Sequence, residues 1–106
     1  MKYDGKPRTR QVFTLTGVEH RGSRAGNERL VCHVKGEHGL LAIWGTSGVG
    51  MRHIEEVEGL EFPLTIECDW IPPDDYEAEH FNHRYWVWET DYFRVVGAVG
   101  GGMPGA

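Results

Sequence analysis

A chain of 106 residues, 40% of them hydrophobic and including four Trp, four Tyr and four Phe, folds around one modest core and is too short for two. That composition excludes a disordered chain, and no apolar run reaches membrane-spanning length. The formal net charge of −5 argues against a general polyanion binder, yet it is unevenly spread: residues 1–35 carry eight Lys and Arg against three acids, residues 36–106 three against thirteen. The basic third either presents a local cationic patch or is neutralised by the acidic remainder.

Met1 to Arg10 holds Lys2, Lys6, Arg8 and Arg10 with Gly5 and Pro7 among them, and no apolar segment follows. It reads as a flexible arm (residues 1–10) rather than an export signal, so the chain is expected to be soluble and cytoplasmic. Gln11 to Glu19 alternates Phe13 and Leu15 with threonines as a first strand, and Gly17 marks a bulge where the inward face switches to Val18. His20 to Asn27 is a turn-rich loop with Arg21 and Arg24.

Glu28 to Gly36 places Leu30, Cys32 and Val34 on one face of a second strand and Arg29, Val31, His33 and Lys35 on the other. After a short connection at Glu37-His38-Gly39, Leu40 to Thr46 is nearly continuous in apolarity, as in a central strand covered on both faces or facing a ligand cleft. Ser47 is placed to cap a short helix in which Met51, Ile54 and Val57 recur at helical spacing, ending at Gly59. The clearest strand is Glu61 to Ile71. Phe62, Leu64, Ile66, Cys68 and Trp70 occupy one side of a period-two repeat, and Glu61, Pro63, Thr65, Glu67 and Asp69 the other.

Pro72-Pro73 ends that strand, and Asp74 to Arg84 reads as a long polar loop with four acids, two histidines and two aromatics, a kind of segment that often carries function. Tyr85 to Val96 reads as one last strand, Trp86 and Trp88 facing one way and Tyr85 and Val87 the other. Residues 97–106, with five glycines, form a flexible tail. Cys32 and Cys68 both fall in inward rows and are expected as buried thiols in a reducing compartment.

Five strands with one helix between the third and fourth, across residues 11–96 and with a glycine bulge in the first strand, resemble the OB-fold, a five-stranded Greek-key barrel. The resemblance implies an all-β barrel domain whose helix plugs one end. It implies a ligand surface on the second and third strands and the loops after the first and fourth. Transferred onto this chain, that surface takes in Arg21 and Arg24, Val31, part of Leu41 to Trp44, and the loop with Tyr76 and His83, its candidate contacts being Arg21, Arg24, Arg29, His33, Lys35, Trp44, Phe81, Arg84, Tyr85 and Trp86. Cations that follow a phosphate backbone and rings that stack on bases suit single-stranded DNA or RNA, bound without catalysis and without a cofactor. Two other functions are open to the same chain. The acidic loop 74–84 and last-strand aromatics would serve a protein partner or a homo-oligomer, and His80 and His83 beside Glu77 and Glu79 would supply part of a metal site in a small enzyme.

Several of these residues have structural explanations as well. Trp86, Trp88 and Trp44 are either stacking surfaces or core, and Trp70 belongs inside. Gly45-Thr-Ser-Gly-Val-Gly50 has the look of an anion-binding turn but lacks the lysine of a phosphate-binding loop, so it reads as turn and cap. No serine, histidine and carboxylate set stands out.

Overall fold

The computed structural model describes residues 5–22, 28–36, 40–45 and 48–98. Among the described residues six strands form one sheet: β1 (Thr9–Arg21), β2 (Glu28–Val34), β3 (Leu40–Gly45), β4 (Leu64–Trp70), β5 (His83–Val87) and β6 (Phe93–Ala98). Helix α1 (Gly48–Glu58) lies between β3 and β4, and the shorter α2 (Asp75–His80) between β4 and β5. The strand order is β5-β3-β2-β1-β4-β6, antiparallel except for the parallel β3–β5 pair. The protein is thus mostly β, a curled half-barrel sheet with two short helices.

The curl originates in β1. Its first half, Thr9 to Leu15, pairs with β4, and its second half, Leu15 to Arg21, pairs with β2. Between them the register moves from Leu15 opposite Val34 to Gly17 opposite His33, so Thr16 is an extra residue and the strand bends at the expected bulge. Phe13 and Leu15 point inward before it, and Val18 packs on the same core after it. Beyond the end of β4, Ile71 and Trp86 exchange two backbone hydrogen bonds of 3.0 Å, joining β5 to the far edge of β4.

The concave side holds the main core: Phe13, Leu15, Leu30, Cys32, Val34, Leu41, Ile43, Leu64, Ile66, Cys68, Tyr85 and Val87, closed by Ile54 and Val57 of α1. A buried aliphatic side chain contributes about 1.5–3 kcal/mol, so this single layer accounts for most of the driving force. Helix α1 enters at a very close approach. A Cβ on Gly50 would stand 2.5 Å from Gly45 Cα and 2.6 Å from the Trp44 carbonyl oxygen. That contact gives the glycines of this turn a packing role; Ser47, the expected cap, lies outside the described residues.

Three expectations change. Strand ends run further than expected: Thr9 and Arg10 pair with Trp70 and Asp69, and His20 and Arg21 with Leu30 and Arg29, so all four belong to β1 rather than to an arm or a loop, while Gly97 and Ala98 pair with Thr65 and Leu64 and belong to β6 rather than to the tail. Asp74 to Arg84 is a helix rather than a loop over Asp75–His80, because Asp74 and Glu77 make a reciprocal capping box, each side chain accepting from the other's backbone N–H at 2.8 and 2.9 Å. The single last strand is two strands, which makes six in place of five. At the break the Asp91 carboxylate accepts from the Trp88 N–H at 3.1 Å, and the Asp91 N–H donates to the Trp88 carbonyl at 2.9 Å. This turn lets β5 run beside β3 while β6 runs beside β4.

The charge asymmetry is answered in part on the outer side of β1, β4 and β6. Arg8 donates to Asp91 at 2.9 Å, and Arg10 donates to Asp69 at 2.8 Å with its guanidinium 3.9 Å from the Tyr92 ring centre. Tyr92 donates in turn to Glu67 at 2.9 Å, and that bond raises the phenol's pKa. Two cations of the basic third are therefore neutralised by acids of the other half.

Candidate functional site

Strand parity puts a second set of side chains on the convex face of β2, β3 and β5. Ala42, Ile71 and Trp86 form a small buried cluster there, flanked by Trp44 and Trp88. Trp44 lies 5.4 Å from both Trp86 and Trp88, with ring planes within 20° of parallel. The arrangement continues through His83, which meets the edge of Trp86 at 5.0 Å, to Phe81, stacked on His83 at 5.6 Å and 9°. A strip of rings thus runs from the half-buried Trp88 to Phe81, which is 39% exposed.

His83 reaches this face through an irregularity. Leu40 pairs with His83 and Leu41 with Tyr85, so Arg84 is the extra residue of a bulge in β5. Without it, His83 would share the inward face of Tyr85 and Val87; with it, His83 joins Trp86 outside. Burial lowers the imidazole's pKa, and the positive charges of Arg29 and Arg21 lower it further, against a smaller opposing influence of Glu77. Its Nδ1 is buried and has no hydrogen-bond partner among the described residues, as is also true of Arg29 Nε.

Phe81, Asn82 and His83 form a ridge between two clefts. The larger, about 510 Å³, is lined on the far side by Gln11, Trp70, Pro72 and Arg84. The smaller, about 180 Å³, is lined by Arg21, Arg29, His80 and the apolar floor of Val31 and Leu40. The Arg29 guanidinium lies 5.8 Å from the Phe81 ring centre. In its most direct hydrogen-bond role, His80 donates Nδ1–H to the Tyr76 carbonyl at 2.9 Å, which leaves Nε2 for another partner.

The structure thus brings Arg21, Arg29 and Phe81 together, with Arg84 across the ridge. Trp44 is half-buried in the strip, and Trp86, at 1% exposure, is its covered centre rather than a stacking surface. Tyr85 is core: it packs on Phe13 and takes the edge of Trp70, each at 4.7 Å. Trp70 is only half-buried and donates to Gln11 at 3.3 Å. His33 is exposed on the convex face, and Lys35 sits six residues from Arg29, about 20 Å along the chain at 3.3 Å per residue. Arg24 lies outside the described residues. Sequence reasoning placed His80 in a metal reading alone and His83 both there and in the loop of the nucleic-acid surface; among the described residues no group of three or more His, Cys, Asp or Glu is arranged to hold a metal ion. The bulge that turns His83 outward has no signal in the sequence Asn-His-Arg-Tyr-Trp.

No helix among the described residues is long and apolar enough to cross a membrane. No protein-family model matches the chain, and comparisons with curated proteins and with solved structures find no significant match.

Proposed function

We propose that the domain is an OB-like barrel that binds single-stranded DNA or RNA across the Phe81–His83 ridge. The observation that carries this reading is the exposed Phe81 ring, held parallel to His83, with Arg21 and Arg29 in the cleft on one side and Arg84 in the cleft on the other. A base stacks on such a ring while the flanking guanidinium groups take successive phosphates. The strand pairings support the barrel assignment: β1 with both β2 and β4, β3 parallel to β5, and a helix between β3 and β4 closing the core, with β6 as an addition. In a barrel of that kind the first and fourth connections and the convex strands between them form the ligand surface, which is where this ridge and its clefts lie.

Fluorescence anisotropy of a labelled mixed-sequence oligonucleotide tests the reading. Binding is expected to weaken steeply between low and physiological salt. Phe81→Ala is expected to cost about 1–3 kcal/mol, the value of one stacked base. Absence of binding at either salt by the folded protein would overturn it.

A second reading, a protein-binding module, is favoured by α2. Tyr76, 62% exposed, stacks on His80 at 4.0 Å along a helix whose first turn is acidic. An exposed ring held on a capped helix is the kind of anchor that protein interfaces use. Sedimentation or light scattering across a concentration series separates self-association from a monomer that binds only oligonucleotide.

A further inference from the structure

Arg21 and Arg29 are cross-strand partners in register, two like charges directly opposite one another on the same face of the β1–β2 pair. Such a pair costs stability where opposite charges would add to it. Glu19 accepts from Arg21 at 3.0 Å and offsets part of the repulsion. Glu28, next to Arg29 in sequence, is engaged instead with His20 at 2.8 Å, and His20 bonds Glu58 of α1 at 3.0 Å through its other ring nitrogen. Glu77, the remaining acid that acts on His83, is held in the capping box of α2. Arginine–arginine opposition, an unpartnered Arg29 Nε and two imidazoles thus meet around one cleft of about 180 Å³.

Resting on the nucleic-acid reading, we infer that this cleft is a phosphate-monoester site, with Arg21 and Arg29 taking the phosphate oxygens and His83 and His80 lining its wall. A dianion removes the like-charge cost and gives the Arg29 donor its partner. The cleft is of a size for a phosphate with little else attached. The 510 Å³ cleft across the ridge lies within the roughly 300–1,000 Å³ range of sites that admit a larger organic group, so a sugar and base attached to that phosphate have room beyond Phe81. The phosphate is either the terminal group of a strand or that of a free mononucleotide. A bound anion also favours a protonated His83, which burial and the facing Arg29 and Arg21 otherwise bias toward the neutral form against the opposing pull of Glu77.

The test compares three otherwise identical, internally labelled short single strands carrying a 5′-phosphate, a 3′-phosphate or hydroxyls at both ends, by anisotropy at fixed salt. One phosphorylated strand is expected to bind on the order of tenfold tighter than the hydroxyl strand, the effect of one charge-assisted contact. That advantage is expected to vanish in Arg29→Gln and in Arg21→Gln, two variants that guard against a failure of either one to fold. It is also expected to grow as pH falls from 8 to 6.5, above the phosphate's own second ionisation near 6. If all three strands bind equally and salt-dependently, the phosphate site is wrong while the nucleic-acid reading stands. If none binds, that reading fails, and NMR titration with inorganic phosphate and with a nucleoside monophosphate decides the site. Saturable shifts of the His83 ring resonances support a free-nucleotide site, and their absence overturns the inference.

Discussion

Arg21 and Arg29 are cross-strand partners on adjacent strands, Arg21 bonding Glu19 on its own strand rather than an acid of β2, the kind of like-charge arrangement that a surface selected for stability alone avoids. Replacing Arg21 by Thr removes the repulsion, worth roughly 0.2–1 kcal/mol, and also removes the exposed Arg21–Glu19 ion pair, worth about 0–1 kcal/mol. The two nearly cancel, so Arg21→Thr is expected to leave the urea midpoint unchanged or slightly higher while weakening oligonucleotide binding. A loss of stability larger than about 0.5 kcal/mol would mean that Arg21 is a structural residue.

Trp86 is expected to behave as core despite lying on the convex face. At 1% exposure, packed on Ala42 and Ile71, it is subject to the same cavity penalty as an interior ring, so Trp86→Ala should destabilise by about 3–5 kcal/mol. Its Nε1 has no hydrogen-bond partner among the described residues. Trp86→Phe therefore loses ring area but no hydrogen bond, and is expected to cost well under half as much. Urea titration of both variants separates the two contributions; equal losses would place an unseen acceptor on the indole N–H.

The parts of the fold that follow from one-dimensional periodicity were readable in advance. Leu64, Ile66 and Cys68 alternate cleanly because one face of β4 is core, Met51, Ile54 and Val57 recur at helical spacing because α1 packs on that core, and Gly17 marked the bend of β1. What escaped was set by contacts distant in sequence. The run from Tyr85 to Val96 has uniform strand character, and only its change of neighbour from β3 to β4 breaks it at Asp91. Within the candidate site, Arg29 was legible from parity and Phe81 from loop position, whereas Arg21 was read in a loop and stands at the end of β1. His83 was named there as a loop residue, but its place in β5 and the face it takes were not legible, because a bulge opposite Leu40 and Leu41 decides them. Tyr85 was counted as a stacking candidate and Trp86 left open between stacking surface and core, because residue type does not decide whether a ring is available and burial by neighbours on other strands does.

Both thiols are expected to be inert in the folded state. Burial pushes Cys32 well above the ordinary thiol range, with a smaller contribution from Cys68, and pushes Cys68 itself up to about 12, so neither supplies thiolate near neutral pH. An aromatic disulfide reagent should therefore report almost no reaction with native protein at pH 8 and two thiols per chain in denaturant. Rapid labelling of one cysteine under native conditions would show that β2 or β4 opens locally.

Stability is expected to fall on mild acidification for a reason located in two imidazoles. Burial lowers the pKa of His53, packed 5.0 Å from the Phe93 ring, with Arg52 lowering it further and Glu56 opposing; burial, Arg29 and Arg21 lower that of His83. For a base whose folded value lies below its unfolded value, the unfolded chain binds more protons in the interval between them, so the unfolding free energy rises with pH there. The contribution is complete above the unfolded value near 6.5 and is lost as pH falls from 6.5 toward the folded values. Thermal melts from pH 7.5 to 5.5 should show a declining Tm, and the decline should flatten in the His53→Gln/His83→Gln double variant. The slope is the readout, since the substitutions also change packing and shift the absolute Tm. A bound phosphate should flatten the same slope through His83 alone, because the anion restores the proton that Arg21 and Arg29 disfavour. A slope equally steep in wild type, double variant and phosphate-saturated protein would assign the acid sensitivity to other groups and detach His83 from the cleft's electrostatics.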